Sequence, residues 1–537
     1  MSAEPSLEYN DETGKFEWTH PPGSEYGPPA IEPEWKSTNP EWFTPSKQKG
    51  APPPESPEQA EAEEEAEEVD EGAFGASALR ITDVTVTVHR LALEPACDLT
   101  WDRRGGAAHV DVQLVEVHTD GGVSGFGTGD AGVAGEGWIE QYKELFVGTD
   151  PLQLERHARV LEGISFHGPR PWALDVALWD LAGKVRGQPV WRLLGGKSDK
   201  VRPYASLGVQ RDAAGVVAAA VERVAEGFRA LKLRFGCCGD RTWREDVELV
   251  AQVQRAVRAA QSHGEDVSTN GLHGVEIMVD CDQAWRMPWD SRPMWDLATA
   301  TVVAAKLEGL GVYWMENALP RGDFEGMAKL RRAHFGLGGR LRIAAGGLSR
   351  EKHELDQLLE RHCLDVLQPN VCRTGGFLGL WQVAQKALAR GIQFSPRTWG
   401  DGVCLAANMH LSAAINARPR TLKVGNAVTD ASPYVEYAYD PPEWTAARRD
   451  FAVANAEQLQ IDPMDGLVKL GDAPGLGLEL DRAALEATRV RALPAAPGQA
   501  ELSASALRQL YKQISSLEAT AAVQEEPEPE GAAAVDA

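Results

Sequence analysis

The sequence has 537 residues and is acidic, with 79 Asp and Glu against 54 Lys and Arg and a formal net charge of −25. It contains no run of about 20 apolar residues, which a membrane-spanning helix needs, and its negative charge disfavours a nucleic-acid partner. The acidic N-terminus does not resemble a targeting peptide, so we expect a cytoplasmic protein. Seven cysteines without a CxxC pair indicate buried thiols rather than a disulfide framework or a zinc site.

The negative charge is concentrated at the two ends of the chain. Residues 1–71 carry 19 acids and 4 lysines, and residues 518–537 carry 6 acids and no base, so the stretch between them is nearly neutral. Such acid-rich ends bury too little apolar surface to offset the entropy of ordering. We expect a disordered tail over 1–75, and a helix-like segment with a disordered tail over 501–537. Aromatic residues in the first tail leave docking to a partner protein open as an alternative to a solvated tail.

Between the tails, the predicted elements change character once along the chain. Strands over 81–92 and 109–118 alternate apolar and polar residues, as antiparallel strands do, and a helix is predicted over 172–187. Seven apolar runs follow, mostly separated by amphipathic helical stretches, at 203–208, 230–235, 276–281, 312–316, 341–345, 365–367 and 392–395. Continuous apolar strands that alternate with helices are typical of a closed parallel barrel. We predict an α+β capping domain over 76–200, a (β/α) barrel over 201–437, and a segment over 438–500 that returns to the cap.

Polar residues stand at the ends of these predicted barrel strands, where barrel enzymes keep their reactive groups. The residues are Lys232 and Arg234, Asp280 and Asp282, Glu316, Asn370, and Arg397. Because strand side chains alternate, the two members of each pair share one face of their strand. A single charged residue would most simply form a structural ion pair inside the barrel. Charges at four strand ends favour a binding or active site at a common mouth.

Several of these strand ends belong to longer motifs. MVDCDQAW at 278–285, YWMEN at 313–317 and FSPRTWG at 394–400 resemble the barrel of the enolase superfamily, mandelate racemase/muconate lactonizing enzyme subgroup. The segment 172–196, WALDVALWDLAGKVRGQPVWRLLGG, is similar to the helix and linker that join the capping domain of that family to its barrel. The resemblance covers residues 80–482 in order. It implies a (β/α)7β modified TIM barrel with an α+β capping domain.

The resemblance also implies a metal site. In this family Mg²⁺ binds the substrate carboxylate and stabilises the enediolate that forms when a base removes the neighbouring proton. Three carboxylates from the third, fourth and fifth strands hold the ion. Asp280 and Glu316 match the first two positions, and Gly347 stands at the third. The resemblance thus implies Mg²⁺ as the cofactor, whereas the missing ligand leaves a protein without a metal open.

The positions of the family's bases carry residues that cannot act as bases. The His–Asp pair maps onto Arg397 and Asn370, and the lysine motif of the second strand reads KLR at 232–234. A guanidinium with a pKa above about 12 stays protonated at neutral pH, and an amide does not titrate. Glu436 keeps the place of the acid that hydrogen-bonds the substrate carboxylate. The candidates for catalytic roles are Lys232, Arg234, Arg397 and Glu436.

Two interpretations of the missing ligand remain open. In the first, a guanidinium replaces the metal electrostatically and pairs with Asp280 or Glu316, because unpaired buried carboxylates are costly and Arg forms bidentate pairs. In the second, Asp282, where relatives carry Asn, becomes the replacement ligand and Mg²⁺ is kept. Both interpretations make Asp282 a residue worth mutating.

Further candidates lie outside the strand ends. Trp101 and Arg103 belong to a predicted loop, 96–106, placed where the capping domain of the family closes over the substrate. With Asp282 and Asn370, they form the expected substrate-binding set. His410 lies in an apolar helical pattern and is expected to be a core or interface histidine rather than a base.

Three classes of function follow. The one we favour is a mandelate racemase-like protein that binds a small carboxylate such as a sugar acid, its metal and base sets incomplete, so that catalysis is altered or lost. The second is an active Mg²⁺-dependent acid-sugar dehydratase or racemase, a lyase or isomerase, that uses Asp280, Glu316 and Asp282. The third is a non-catalytic scaffold that acts through its acidic tails. Relatives usually form symmetric oligomers, so a homo-oligomer is expected.

Overall fold

The computed structural model describes most of the chain between the two tails and two short stretches of the first tail. The described residues are 6–10, 15–19, 77–99, 102–130, 137–168, 170–207, 212–236, 241–262, 274–284, 293–336, 340–416, 422–424, 427–429, 431–441 and 443–490. The chain divides into two units, 1–68 and 69–537. In the first unit, β1 (Ser6–Asn10) and β2 (Lys15–Thr19) pair as an antiparallel hairpin. The rest of both acidic tails lies outside the described residues.

The second unit begins with a three-stranded antiparallel sheet followed by helices. Its strands are β3 (Ile81–Leu99), β4 (Asp102–Thr119) and β5 (Ser124–Asp130), and its helices are α1 (Gly137–Tyr142), α2 (Leu154–Phe166) and α3 (Trp172–Arg186). The predicted helix over 172–187 is confirmed: residues 172–183 are all buried, and the helix ends before Gly187 in the left-handed region, at φ 64°. The sequence prediction did not include β5.

Helix α3 packs very closely on β5. A Cβ atom at Gly125 would lie 2.2 Å from the carbonyl oxygen of Ala177, and a Cβ at Gly127 would lie 2.2 Å from that of Ala173. Real Cβ atoms do not approach a carbonyl oxygen so closely, so only glycine fits at these two positions. The packing of α3 on β5 therefore requires glycine at both positions.

The predicted loop over 96–106 is instead the tip of a β-hairpin. Cys97 pairs with Ala107 and Leu99 pairs with Asp102, although the register shifts between them. Pairing satisfies backbone donors and acceptors that a loop would leave to water, and this is why the strands extend so far. Trp101 lies outside the described residues. Arg103 lies in β4, and its side chain is not described.

The remaining strands and helices alternate along much of the chain. The strands are β6 (Lys200–Val201), β7 (Pro203–Ser206), β8 (Ala230–Arg234), β9 (Glu276–Asp280), β10 (Trp314–Glu316), β11 (Arg342–Ala345), β12 (Val366–Leu367), β13 (Gln393–Phe394), β14 (Leu422–Val424), β15 (Ala427–Thr429), β16 (Val435–Ala438) and β17 (Val468–Lys469). The helices are α4 (Val190–Leu193), α5 (Ala213–Ala225), α6 (Trp243–Ser262), α7 (Leu297–Gly309), α8 (Phe324–Gly336), α9 (Lys352–Glu360), α10 (Gly376–Ala389), α11 (Gly402–Ile415), α12 (Ala446–Arg449) and α13 (Arg482–Thr488).

Eight of these strands form one parallel sheet. The order is β13-β12-β11-β10-β9-β8-β7-β16, and each neighbouring pair is parallel. The two outer strands are linked by hydrogen bonds: Ser395 Oγ donates to the Tyr434 carbonyl over 2.6 Å, and the Glu436 N–H donates to the Pro396 carbonyl over 3.1 Å. These bonds close the sheet into a ring. The predicted (β/α)7β barrel with an α+β capping domain is confirmed.

The interior of the barrel has two layers. The lower layer is apolar and buried, and it consists of Tyr204, Ala230, Met278, Trp314, Ala344, Val366 and Tyr434. Two residues further along six of these seven strands stand polar residues, which point to the same side because strand side chains alternate. On β11 the corresponding residue is Gly346. These polar residues are Ser206, Lys232, Asp280, Glu316, Gln368 and Glu436. Together with Arg234, Asp282 and Arg397 at the rim, we call them the charged layer. The apolar layer thus forms a floor beneath the site.

The C-terminal part of the second unit crosses back to the first helices. The Leu476 N–H donates to Asp180 of α3 over 2.8 Å, and the Val490 N–H donates to the Val88 carbonyl of β3 over 2.8 Å. His410 of α11 is fully buried; its Nδ1 lies 3.0 Å from the Trp191 N–H and its Nε2 lies 3.2 Å from the Leu476 carbonyl. The expectation of a core histidine is confirmed. No helix in the described part of the chain is long and apolar enough to span a membrane.

Candidate active site

Lys232 of β8 lies at the centre of the charged layer. Its Nζ lies 2.9 Å from Glu316 Oε2 and 2.7 Å from Glu436 Oε1, and it donates a hydrogen bond to the Tyr204 hydroxyl over 3.2 Å. These contacts use all three N–H donors of the ammonium group. Burial lowers the pKa of Lys232, but the two carboxylates outweigh burial and hold the pKa well above its ordinary value. Lys232 is therefore a fixed positive charge and not a base at neutral pH.

Glu316 of β10 has protein donors on both oxygens. Besides Lys232, Gln368 Nε2 donates to Oε2 over 3.0 Å, and Asn317 Nδ2 donates to Oε1 over 3.3 Å. The side chain is fully buried, and burial raises its pKa against the opposing charge of Lys232. Glu316 is therefore already enclosed by donors from three strands.

Asp280 of β9 is held by the turn that follows its strand and by the turn after β10. Its Oδ1 accepts hydrogen bonds from the Asp282 N–H over 3.0 Å and from Asn317 Nδ2 over 3.1 Å. Asp282 and Asn317 both adopt the left-handed region, with φ 56° and 52°, which Asp and Asn tolerate better than most residues. Burial raises the pKa of Asp280, but Lys232, Arg234 and Arg397 together lower it below its ordinary value. Asp280 is therefore ionised.

Asp282 is engaged at the rim of the site. Arg234 Nη2 lies 2.9 Å from Asp282 Oδ1, and the two side chains are 11% and 26% exposed. Burial raises the pKa of Asp282 even with this guanidinium beside it. The described contacts give Asp282 an arginine partner, whereas the first interpretation paired a guanidinium with Asp280 or Glu316. The role of Asp282 as a replacement metal ligand stays a prediction.

Arg397, which follows β13, lies against Gly347. A Cβ atom at Gly347 would lie 2.4 Å from Arg397 Cδ and 3.3 Å from Nη1, so the arginine fills the space that a side chain at position 347 would need. Its guanidinium carbon lies 5.0 Å from the centre of the Trp399 ring, and its Nε lies 3.6 Å from Glu436 Oε2. Burial lowers the pKa of Arg397, but Glu436, Glu316 and Asp280 offset it and leave the pKa above its ordinary value.

Glu436 of β16 connects the cations of the site. Its Oε1 accepts a hydrogen bond from Ser206 Oγ over 2.7 Å and contacts Lys232, whereas Oε2 faces Arg397 Nε at 3.6 Å. Oε2 and Arg397 Nε are both buried, and within the described residues neither has a hydrogen-bond partner. The mouth of the barrel therefore keeps a donor and an acceptor that the surrounding protein does not satisfy.

The described residues do not fit a magnesium ion held by three carboxylates. Magnesium prefers an octahedron of oxygen ligands. Among the described ranges, no group of three or more His, Cys, Asp or Glu side chains is placed to hold a metal. Glu316 is bound by the Lys232 ammonium group, and Arg397 lies beside Gly347, the position of the third ligand.

The structure brings together most of the residues predicted for the site. Those in or at the rim of the charged layer are Lys232, Arg234, Asp280, Asp282, Glu316, Arg397 and Glu436. Asn370 is buried, and its Oδ1 accepts hydrogen bonds from the Cys372 N–H over 2.9 Å and from Asn408 Nδ2 over 3.3 Å. It thus holds the loop after β12 to α11, and its role in substrate binding stays a prediction.

Sequence reasoning did not single out four polar residues of the site as site residues. They are Ser206, Tyr204, Asn317 and Gln368, which hydrogen-bond the lysine or the carboxylates. Gln368 and Ser206 stand two residues beyond the apolar layer along the chain, as the charged residues of the neighbouring strands do. That spacing was the available signal. Asn317 follows Glu316 directly, and only its left-handed backbone turns its side chain back to the carboxylates.

Both parts of the second unit match models of known protein families. Residues 82–195 match the model of the mandelate racemase/muconate lactonizing enzyme N-terminal domain, and residues 215–484 match the enolase C-terminal domain-like model. The second match alone spans half of the chain. The fold and the family described from the motifs are the same as those that the two models identify.

Individual relatives agree with the two models. The chain is 28% identical over 411 residues to a D-galactarolactone cycloisomerase of Agrobacterium fabrum, covering 74% of this chain and 94% of the relative. It is 27% identical over 382 residues to a D-galactonate dehydratase of Ralstonia pickettii, covering 69% and 89%. The crystal structure of L-talarate dehydratase from Polaromonas sp. JS666, complexed with Mg and L-glucarate, shares the fold with a TM-score of 0.59 and 23% identity, covering 77% and 98%. The chain is a member of the mandelate racemase/muconate lactonizing enzyme group of the enolase superfamily.

Proposed function

We propose that the mouth of the barrel binds a small carboxylate of the acid-sugar class, and that the metal-dependent proton abstraction of the family is altered or lost in this protein. The observation that carries the proposal is the position of Arg397 against Gly347, where a third carboxylate ligand would otherwise stand. The choice of ligand class is supported by relatives that are named for D-galactarolactone and D-galactonate.

The protonation states of the site support the loss of ordinary base catalysis. A general base works best when its pKa lies near the working pH. Lys232 carries two carboxylate partners that raise its pKa, and the other two basic groups, Arg234 and Arg397, are guanidinium groups. No histidine belongs to the charged layer as described. These three cations can bind and orient an anion, but none of them can serve as a base for a carbon acid at neutral pH.

The electrostatic balance supports a site that is complete without Mg²⁺. Four carboxylates, Asp280, Asp282, Glu316 and Glu436, face three cations, and each carboxylate has a basic group as a contact or a close neighbour. Such pairing is needed in a protein interior, because burying an unpaired carboxylate lowers the stability of the fold by roughly several kcal/mol. The cations of the protein thus take over the neutralising role that a divalent ion would have.

Metal analysis of the purified protein, together with thermal-shift titrations, tests this proposal. The titrations use a panel of aldonic and aldaric acids, each in EDTA and in Mg²⁺, because a ligand of the folded state raises the melting temperature by mass action. We expect no bound magnesium and stabilisation by at least one sugar acid in EDTA. Micromolar binding of Mg²⁺, with stabilisation by the acid only in its presence, would instead favour the active dehydratase or racemase that uses Asp280, Glu316 and Asp282.

A further inference from the structure

We propose that Arg397 binds the ligand carboxylate directly through paired N–H···O hydrogen bonds, and that Gly347 is the residue that makes room for it. This inference rests on the proposed function, since it names the group that holds the acid. It replaces binding through a metal ion by binding through a guanidinium group.

Arg397 is a buried cation whose hydrogen-bonding capacity is not fully used. Its side chain is only 9% exposed. Its Nε is buried, and within the described part of the chain this atom has no hydrogen-bond partner. The closest carboxylate oxygen, Glu436 Oε2, lies 3.6 Å from Nε, beyond the usual hydrogen-bond distance. A buried donor without an acceptor is costly, and a guanidinium group in this position favours an anionic acceptor from outside the protein.

The other two cations of the charged layer differ from Arg397 in this respect. Lys232 contacts Glu316, Glu436 and Tyr204, and Arg234 donates to Asp282. Both are therefore committed to protein acceptors. Arg397 has the planar fork that matches the two oxygens of a carboxylate, which an ammonium group cannot reproduce.

The surroundings of Arg397 leave one part of the fork for a ligand. Glu436 lies on the Nε side, and the Trp399 ring lies 5.0 Å from the guanidinium carbon. On the side of β11, Gly347 has no side chain, and a Cβ there would collide with Cδ at 2.4 Å. The two terminal nitrogens are thus the donors that remain for a carboxylate.

This mode of binding predicts a definite ligand preference. A metal ion gathers several oxygens and gains from a hydroxyl group next to the carboxylate, whereas a guanidinium fork binds the two carboxylate oxygens alone. The acid group should therefore be essential, and the neighbouring hydroxyl should matter little. Affinity should also be the same with and without a chelator.

Calorimetric titration of the full chain with D-galactonate in EDTA tests the assignment. We expect Arg397→Lys, which keeps the charge and loses the fork, to weaken binding at least about tenfold, and Arg397→Gln to weaken it further. Gly347→Ala changes no charge but displaces Arg397, so it should also weaken binding about tenfold or more. The matched control is Gly163→Ala, an exposed position in α2 where a Cβ meets nothing within 4 Å; it should bind like the wild type.

The outcomes separate the two proposals. If the wild type binds the acid but Arg397→Lys and Gly347→Ala bind equally well, or if binding requires Mg²⁺, the assignment of Arg397 is wrong. If the wild type binds none of the aldonic and aldaric acids, the proposed function is wrong as well. Circular dichroism and melting temperatures identify any variant that fails to fold. In that case the binding measured for Arg397→Lys, which keeps the positive charge, tests the assignment.

Discussion

Lys232 has the position of a reactive lysine but the contacts of a structural one. Two buried carboxylates and a tyrosine hydroxyl take its three donors, and its pKa is raised as a result. In a barrel mouth such a lysine fixes the position of Glu316 and Glu436 rather than exchanging protons. Removing its charge should therefore affect stability first.

We expect Lys232→Met to lower the free energy of unfolding by about 3–5 kcal/mol, because it leaves two buried carboxylates without their ammonium partner. Urea unfolding at neutral pH measures the loss. Lys329→Met is the control, since Lys329 pairs with Glu325 on an exposed helix surface, where such a pair contributes about 0.5 kcal/mol or less. Equal effects of the two substitutions would show that the network around Lys232 adds no stability.

At the scale of single residues, the sequence predicted which groups meet but not how they pair. The i, i+2 spacing of Lys232 and Arg234 was sufficient to place both at the mouth. The contact between Arg397 and Gly347 was beyond prediction, because it depends on the distance between two strands that are separate in the sequence. The assignment of Trp101 and Arg103 to substrate binding stays a prediction.

At the scale of elements, the close packing of β5 on α3 depends on glycines in the strand. The sequence shows alternating glycines at Gly125, Gly127 and Gly129, yet this pattern reads as a turn-rich segment rather than as a strand. Two of the three are needed for close approach to helix carbonyls, and the third is not: a Cβ at Gly129 would lie 3.3 Å from Ala173 Cβ.

This difference gives a prediction within one strand. Gly127→Ala should lower the free energy of unfolding by about 3 kcal/mol, because the new methyl group overlaps the α3 backbone. Gly129→Ala, on the same face of β5, should cost about 1 kcal/mol or less. Chemical denaturation of the two variants compares them directly. A similar loss for both would mean that β5 and α3 can separate without strain.

At the scale of the whole molecule, the alternation of apolar runs and helical stretches was enough to predict the barrel. The barrel has a strong signal because its strands are buried on both faces and read as continuous apolar runs. The segment 96–106 was predicted incorrectly as a loop because Gly105, Gly106 and the charged residues around them hide a strand pairing. The two tails carry most of the net negative charge of the protein, and their contribution to function remains a prediction.

His410 connects the barrel helix α11 to α4 and to the C-terminal segment, so its protonation affects the whole unit. Burial lowers its pKa from 6.5 to about 4. The unfolded chain then binds more protons than the folded one between pH 6.5 and 4, and stability falls as the pH falls through this window. Protonation would also place a second donor against the Trp191 N–H.

The difference in stability between the wild type and His410→Gln isolates this effect. The glutamine variant should be less stable at pH 7, and the difference should shrink by about 3 kcal/mol between pH 7 and pH 4, because only the wild type loses stability by protonation of this residue. Urea unfolding at several pH values provides the measurement. His157, whose pKa is also lowered to about 4, titrates in both proteins and cancels. A difference that is constant with pH would contradict the assignment.

The contact between Gly347 and Arg397 also constrains the order in which this site could change. A carboxylate introduced at position 347 alone would overlap Arg397, and replacement of Arg397 alone would leave Glu436 and its neighbours short of positive charge. Each single step from this arrangement toward a three-carboxylate site is therefore unfavourable. The combined change removes the overlap, but it leaves extra negative charge that only a bound divalent cation would neutralise. Positions 347 and 397 therefore constrain each other: a substitution at either one is unfavourable unless the other changes as well.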